Sequence, residues 1–142
     1  MMAHLKQVAF KLALPFGERK KTYNSRLAQE LGKFAEQKGK GDEFHKAMFR
    51  AYFVDGQNIG KLSILIELAE SIHLSGKDSQ KVIQERAYKD LVDLDWKRSH
   101  ELGVTAVPTF LFNHQRLMGT QNFETLEKLL LSNNVKRRNL KK

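Results

Sequence analysis

The sequence predicts a protein of the α/β class, in which a large helical block interrupts a small sheet. Three observations lead to this prediction. Residues 7–14 alternate larger apolar side chains with smaller or polar ones, as a half-buried strand does. Residues 25–102 carry apolar side chains at helical spacing. Residues 109–118 then change to a β-branched and aromatic pattern that is typical of a hairpin.

The first element is predicted to be a strand over residues 6–14. Its more apolar face consists of Val8, Phe10, Leu12 and Leu14. Pro15 ends the strand, because proline has no N–H group to donate to a sheet ladder.

Four helices are predicted in the block that follows. The first is capped by Ser25 and ends at Gly39 and Gly41; the second is capped by Asp42 and ends at Gly56. The third runs from Leu62 to Ile72, and the fourth starts at Asp78 or Ser79 and runs toward His100, before Gly103. The second helix carries an aromatic stripe that consists of Phe44, Met48, Phe49, Tyr52 and Phe53. Packing in the core is the favoured interpretation of this stripe, and a substrate groove is the alternative.

The period changes again at the end of the chain. Thr109–Phe112 is predicted as a buried strand, residues 113–115 as a turn, and Arg116–Met118 as a second strand. Asn122 is predicted to cap a final amphipathic helix.

Composition excludes several classes of protein. The 142 residues suffice for one domain, and 41% hydrophobic with 29% charged residues is an ordinary globular mixture. No apolar stretch approaches the roughly 20 residues that cross a bilayer, and the first residues lack the apolar run of a secretory signal. We therefore expect no membrane association and a cytoplasmic location. The sequence contains no cysteine, so its own residues cannot form a disulfide, a thiolate metal site or a redox dithiol.

The net charge of +9 is concentrated in part at the end of the chain, where residues 135–142 hold five basic residues and no acidic one. This composition predicts a disordered, solvated tail. Association with nucleic acid or another anionic surface, through this tail and the basic residues 19–21, is the alternative. The tail carries no aromatic residue, which disfavours nucleic acid as the partner.

No residue is predicted to be catalytic, to bind a cofactor or to hold a metal. The five histidines do not form a metal-binding spacing, and Asp90, Asp93 and Asp95 are predicted to lie on a solvated helix face. Neither a nucleophile elbow, a phosphate loop nor a dinucleotide fingerprint is present.

The segment Gly103-Val104-Thr105-Ala106-Val107-Pro108-Thr109-Phe110 places a proline directly before a predicted buried strand. A cis peptide bond in the turn ahead of the strand is one way to tolerate such a proline. With the hairpin, glycine and helix that follow, this segment resembles the second half of a thioredoxin fold, in particular that of the DsbA family with its inserted helical domain. The resemblance extends to residues 20–28, 44–53, 58–60, 95–96 and 101–104, and covers nearly all of residues 6–131. The branch with the FrnE-like oxidoreductases and the 2-hydroxychromene-2-carboxylate isomerases is the most similar.

The resemblance implies a truncated thioredoxin-like fold with a large α-helical insertion. Residues 1–134 would form the incomplete domain, with the strand at 6–14, the insertion at 25–102, and the cis-proline strand, hairpin and closing helix at 103–131; residues 135–142 are the tail. The family's first strand and its Cys-x-x-Cys helix have no counterpart in this sequence. We therefore expect a thiol–disulfide oxidoreductase-like domain that is inactive in dithiol exchange through its own residues.

The resemblance also implies a binding site. In the family, the residue before the cis-proline pairs with an extended peptide or with glutathione; here that residue is Val107, followed by Pro108. The alternative to the oxidoreductase-like domain is therefore a non-catalytic module that binds peptides or proteins in this cleft. A further possibility is that Pro108 serves only as a turn.

The missing central strand would leave sheet edges unpaired. From this we expect a homo-oligomer that exchanges elements, a first strand that moves into the gap, or marginal stability.

Overall fold

The computed structural model describes residues 2–19 and 21–138, and these residues form helices and one small sheet. The elements are α1 (Met2–Lys11), α2 (Arg26–Gln37), α3 (Gly41–Phe53), α4 (Leu62–Ser71), α5 (Gly76–Gln84), α6 (Lys89–Glu101), β1 (Thr109–Phe112), β2 (Gln115–Met118) and α7 (Phe123–Ser132). The predicted class, a helix-rich α/β fold, is confirmed. Among the described residues, no helix is both long enough and apolar enough to span a membrane.

The chain divides into two compact units, Met1–Asp95 and Trp96–Lys142. We call them the helical unit and the hairpin unit. The division falls inside α6, and therefore inside the block predicted as the insertion, residues 25–102.

The core of the helical unit is built from the faces that helical spacing predicts. Leu31, Phe44 and Leu65 are almost completely buried and come from α2, α3 and α4. Small residues let these helices approach closely; Ala35 and Ala69 are fully buried in the same cluster. Burial of these apolar side chains is the main force that holds the helical unit together.

The predicted strand over residues 6–14 is wrong, because most of this segment belongs to the helix α1. A strand satisfies its backbone groups only beside a partner strand, and β1 and β2 form the whole sheet of the described residues. A helix satisfies these groups within the segment, and the alanine, leucine, lysine and glutamine residues of α1 all favour it. The alternation of residues 7–14 therefore does not decide their conformation in this structure.

The single long helix predicted to start at Asp78 or Ser79 is also wrong. Two helices, α5 and α6, occupy this stretch, and Arg86 between them has a left-handed φ of +53°. A non-glycine residue in this region interrupts a helix. The helix α5 begins at Gly76 instead, where the side chain of Ser75 accepts a hydrogen bond from the N–H of Asp78.

Arg86 takes part in an ion cluster around the buried carboxylate of Glu30 in α2. The Nε and Nη2 atoms of Arg86 donate to the two carboxylate oxygens at 2.8 and 2.7 Å. Arg26 donates to the same carboxylate at 2.8 Å and to Asp93 at 2.6 Å. The cluster therefore joins α2 to the break after α5 and to α6.

The hydrogen bonds from Arg86, with those from Arg26, hold the pKa of Glu30 below its ordinary value of 4.5, although burial acts in the opposite direction. A carboxyl group whose pKa is lower in the folded state stabilises the fold at pH values above its unfolded pKa. That stabilisation is lost as the pH falls through the folded pKa.

The hairpin unit buries far fewer apolar side chains than the helical unit. Leu129 is the only side chain that is buried in this unit among the described residues. The predicted cap of α7 is confirmed, because the side chain of Asn122 accepts a hydrogen bond from the N–H of Thr125 at 2.8 Å. Of the predicted tail, residues 135–138 have no regular secondary structure and Arg137 pairs with Glu127 at 2.8 Å; residues 139–142 lie outside the described part of the chain.

Candidate functional site

The hairpin presents one strand edge that is paired and one that is open. β1 and β2 are antiparallel, with Phe112 opposite Gln115, and a two-residue turn joins them. Asn113 and His114 in the turn have φ values of +45° and +66°. These left-handed values match the twist of two-residue hairpins, and asparagine adopts them at low cost.

The hydrogen bond at the end of this ladder sets which residues of β1 bond to β2. The N–H of Gly119 donates to the carbonyl oxygen of Pro108 at 2.8 Å. Because hydrogen-bonded and non-bonded pairs alternate in an antiparallel ladder, Phe110 and Phe112 direct their backbone groups toward β2. Thr109 and Leu111 direct their N–H and C=O groups to the opposite edge. No other strand of the described residues pairs with that edge.

The loop ahead of β1 contains both predicted ligand-facing residues. The Val107–Pro108 peptide bond is cis. Val107 is 87% exposed, and its N–H and C=O groups make no hydrogen bond within the described part of the chain. Ligand binding by Val107 and Pro108 stays a prediction, but the structure places both at the start of the open edge.

Neighbouring groups hold this loop in place. The hydroxyl of Thr109 donates to the carbonyl oxygen of Ala106 at 2.6 Å. The guanidinium of Arg116 in β2 donates to the carbonyl oxygen of Gly103, whose φ of +65° lies in the left-handed region that favours glycine. Val107 is thus exposed on a loop that is anchored on both sides.

An apolar groove that no sequence pattern indicates runs along the hairpin. Its volume is about 450 Å³, and its walls are the four residues of β1 together with Leu126, Leu129 and Leu130 of α7. The leucine spacing in α7 predicts a buried face, but not that this face would remain partly uncovered.

A second cavity lies in the helical unit, beside the predicted aromatic stripe. Phe44 and Met48 are buried, as core packing predicts, whereas Phe49 is 61% exposed. The cavity measures about 350 Å³. It is lined by these buried and exposed residues of the stripe and also by Tyr23 and Tyr52. The stripe therefore contributes to the core and to an open pocket at the same time.

Two of the aspartates predicted to lie on a solvated helix face form ion pairs. Asp93 and Asp95 in α6 bind Lys89 and Lys33 at 2.6 and 2.7 Å, in addition to the bond from Arg26 to Asp93. Among the described residues, no three potential ligand side chains converge to hold a metal.

Comparison with known proteins identifies a family and a curated relative. The family model described as the DSBA-like thioredoxin domain matches residues 1–131. The uncharacterized protein YwbO of Bacillus subtilis (strain 168) is 34% identical over 105 residues, which are 73% of this chain and 52% of that protein. The chain therefore spans about half the length of the curated relative it matches.

Solved structures show the same fold. The crystal structure of the "probable DsbA oxidoreductase SCO1869" from Streptomyces coelicolor has a TM-score of 0.81 with 23% identity, over 99% of this chain and 62% of the other. A structure from Nitrosomonas europaea has a TM-score of 0.69 with 20% identity, over 92% of this chain and 70% of the other. The predicted thioredoxin-like fold is confirmed by these two structures and by the family match.

Proposed function

Because the chain belongs to the DSBA-like thioredoxin domain family, we propose that it recognises extended polypeptide at Val107 and Pro108. We further propose that its own residues do not perform thiol–disulfide exchange. The observation that carries the proposal is Val107, which is exposed and whose backbone donor and acceptor both lack partners among the described residues.

The chemistry of exchange supports the second part of the proposal. A disulfide is exchanged when a thiolate attacks one of its sulfur atoms, and the 142 residues include no cysteine to supply that thiolate. Family membership therefore does not by itself give this chain the redox activity of an oxidoreductase. Any redox chemistry at the site would require a thiol from another molecule or segment.

Strand addition supports the first part. An extended peptide gains affinity from main-chain hydrogen bonds when it pairs with an exposed backbone segment, and gains specificity from pockets for alternate side chains. Val107 offers the backbone donor and acceptor, and the loop around it is anchored through Ala106 and Gly103. An anchored loop loses little conformational freedom on binding, which favours affinity.

Three further expectations stay predictions. Glutathione, which carries peptide bonds of its own, is the smaller alternative ligand for the same backbone groups. Association of the basic tail with anionic surfaces and the cytoplasmic location are the other two.

Peptide binding is tested with a fluorescein-labelled peptide of alternating valine and threonine residues, followed by fluorescence anisotropy. The wild-type chain is expected to give saturable binding, and Val107→Pro is expected to weaken it about tenfold or more, because proline removes the N–H group. Val107→Ala keeps that group and is expected to retain most of the affinity. The fold of each variant is checked by circular dichroism.

Two results would count against the proposal: no saturable binding by the wild-type chain, or equal binding by the proline and alanine variants. Competition with glutathione separates the two ligand classes. If glutathione binds the same backbone groups, adding it releases the labelled peptide.

A further inference from the structure

We propose that the open edge of β1 accepts residues 7–14 from a second copy of this chain. Residues 7–11 leave α1, and the whole segment joins the sheet as a strand. The inference concerns Thr109 and Leu111, beyond Val107, and does not depend on peptide binding.

The acceptor is an edge with unsatisfied hydrogen-bonding capacity. The N–H and C=O groups of Thr109 and Leu111 face away from β2, and no strand of the described chain covers them. Such an edge is a template for pairing with another chain. The apolar groove formed by β1 and α7 lies beside it and offers Leu126, Leu129 and Leu130 as a surface for the incoming side chains.

The donor is a segment whose side chains do not suit the conformation it adopts. Phe10 is 86% exposed, and Leu12 and Leu14 are also exposed to solvent. In a strand, these three residues and Val8 would lie on one face, because side chains alternate with a period of two. That single apolar face could cover the groove, whereas the helix and the turn after it leave the side chains in water.

Few interactions stabilise the helix α1. Its ten residues are fewer than the roughly 12–15 at which isolated helices become stable in water. Its first turn contains no acidic residue to interact with the helix dipole, and of its described side chains only Ala9 is buried. Leaving the helix therefore disrupts few tertiary contacts of the described residues.

A second copy can satisfy both features at once. Each copy has one donor segment and one acceptor edge, so two copies related by a two-fold axis can exchange segments reciprocally and leave no donor unused. Among the described residues of one chain, the donor is not a strand and the acceptor edge is open.

Sedimentation velocity over a concentration series tests the proposal with two variants. The wild-type chain is expected to form dimers as its concentration rises. Phe10→Glu is expected to raise the dissociation constant about tenfold or more, since it would place a carboxylate in the apolar groove. Phe123→Glu is the matched control, because Phe123 is 76% exposed in α7 but does not line the groove. This control is expected to associate as the wild type does.

The acceptor is tested by Leu111→Pro. This proline removes an N–H group that faces the open edge and leaves the hydrogen bonds to β2 intact, a position at which edge strands tolerate proline. Leu111→Pro alone is expected to associate weakly, as Phe10→Glu does. An equimolar mixture is expected to recover association, because the intact segment of the Leu111→Pro chain can pair with the intact edge of the Phe10→Glu chain.

The outcomes separate exchange from other kinds of association. A wild-type chain that stays monomeric at every concentration would overturn the proposal, and so would a mixture that associates no better than either variant alone. Equal effects of Phe10→Glu and Phe123→Glu would indicate association through exposed apolar surface in general, and would also overturn it.

Discussion

Replacing Glu30 by alanine is expected to destabilise the helical unit by about 3 kcal/mol. This is the lower end of the usual cost of removing one partner from a buried ion pair, because the Arg86 left behind is partly exposed. The buried carboxylate of Glu30 accepts hydrogen bonds from Arg26 and Arg86. Without it, Arg26 keeps its bonds to Asp93 and to the carbonyl oxygen of Lys89, whereas the link from α2 to Arg86 is lost. The free energy of unfolding in urea measures the loss.

The matched control is Glu43→Ala. Glu43 pairs with Lys40 at 3.0 Å on the exposed surface, where such pairs contribute about 0–1 kcal/mol. If Glu30→Ala unfolds the chain altogether, Glu30→Gln gives a measurable variant that keeps one acceptor oxygen. Its stability should depend less on pH than that of the wild type below about pH 4.5, since it lacks the carboxyl group whose pKa the folded state lowers. Equal losses in the Glu30 and Glu43 alanine variants would contradict this account.

Replacing Phe44 by alanine is expected to cost about 3–5 kcal/mol, the range for truncation of a buried phenylalanine. Phe44 is almost completely buried and belongs to the core cluster of α2, α3 and α4. The truncation removes its burial and leaves a cavity beside the existing pocket. Urea unfolding, compared with the wild type, gives the difference.

Phe49→Ala is the control on the same helix. Phe49 is exposed and contacts the rings of His45 and Phe53, so its loss is expected to cost about 1 kcal/mol. If Phe49→Ala were as destabilising as Phe44→Ala, Phe49 would have to be buried as Phe44 is. The open pocket beside it would then not exist in solution.

The hairpin and its final helix could be predicted from the sequence because their signals are local. The β-branched and aromatic run at Thr109–Phe112 and the cap at Asn122 depend on neighbouring residues alone. The resemblance carried by residues 103–110 gave the fold that the comparisons confirm.

The errors concern elements whose conformation depends on distant residues. Residues 6–14 have the pattern of a strand, but a strand requires a partner that no short window of sequence can supply. The break at Arg86 has no glycine or proline to mark it, and its arginine instead binds Glu30, 56 residues away along the chain. Helical periodicity on both sides of Arg86 gave no sign of this contact.

The candidate site was predictable in part. Val107 and Pro108 were found through the motif, whereas the unpaired edge beyond them depends on which strands the folded chain contains. The groove likewise forms only where β1 and α7 lie close together, and the sequence patterns of the two elements do not specify this packing. Local patterns thus locate the residues of the site, whereas the open strand edge and the groove beside them are evident only in the structure.

The central claim is that an extended peptide pairs with the backbone at Val107, and an NMR titration tests it most directly. The ¹⁵N-labelled chain is titrated with the valine–threonine peptide, at a concentration too low for the chain to associate. We predict that the largest shift changes occur at the amide of Val107 and its neighbours Ala106 and Thr109. Changes confined to the pocket around Phe49 and Tyr52, or none at peptide saturation, would contradict the claim.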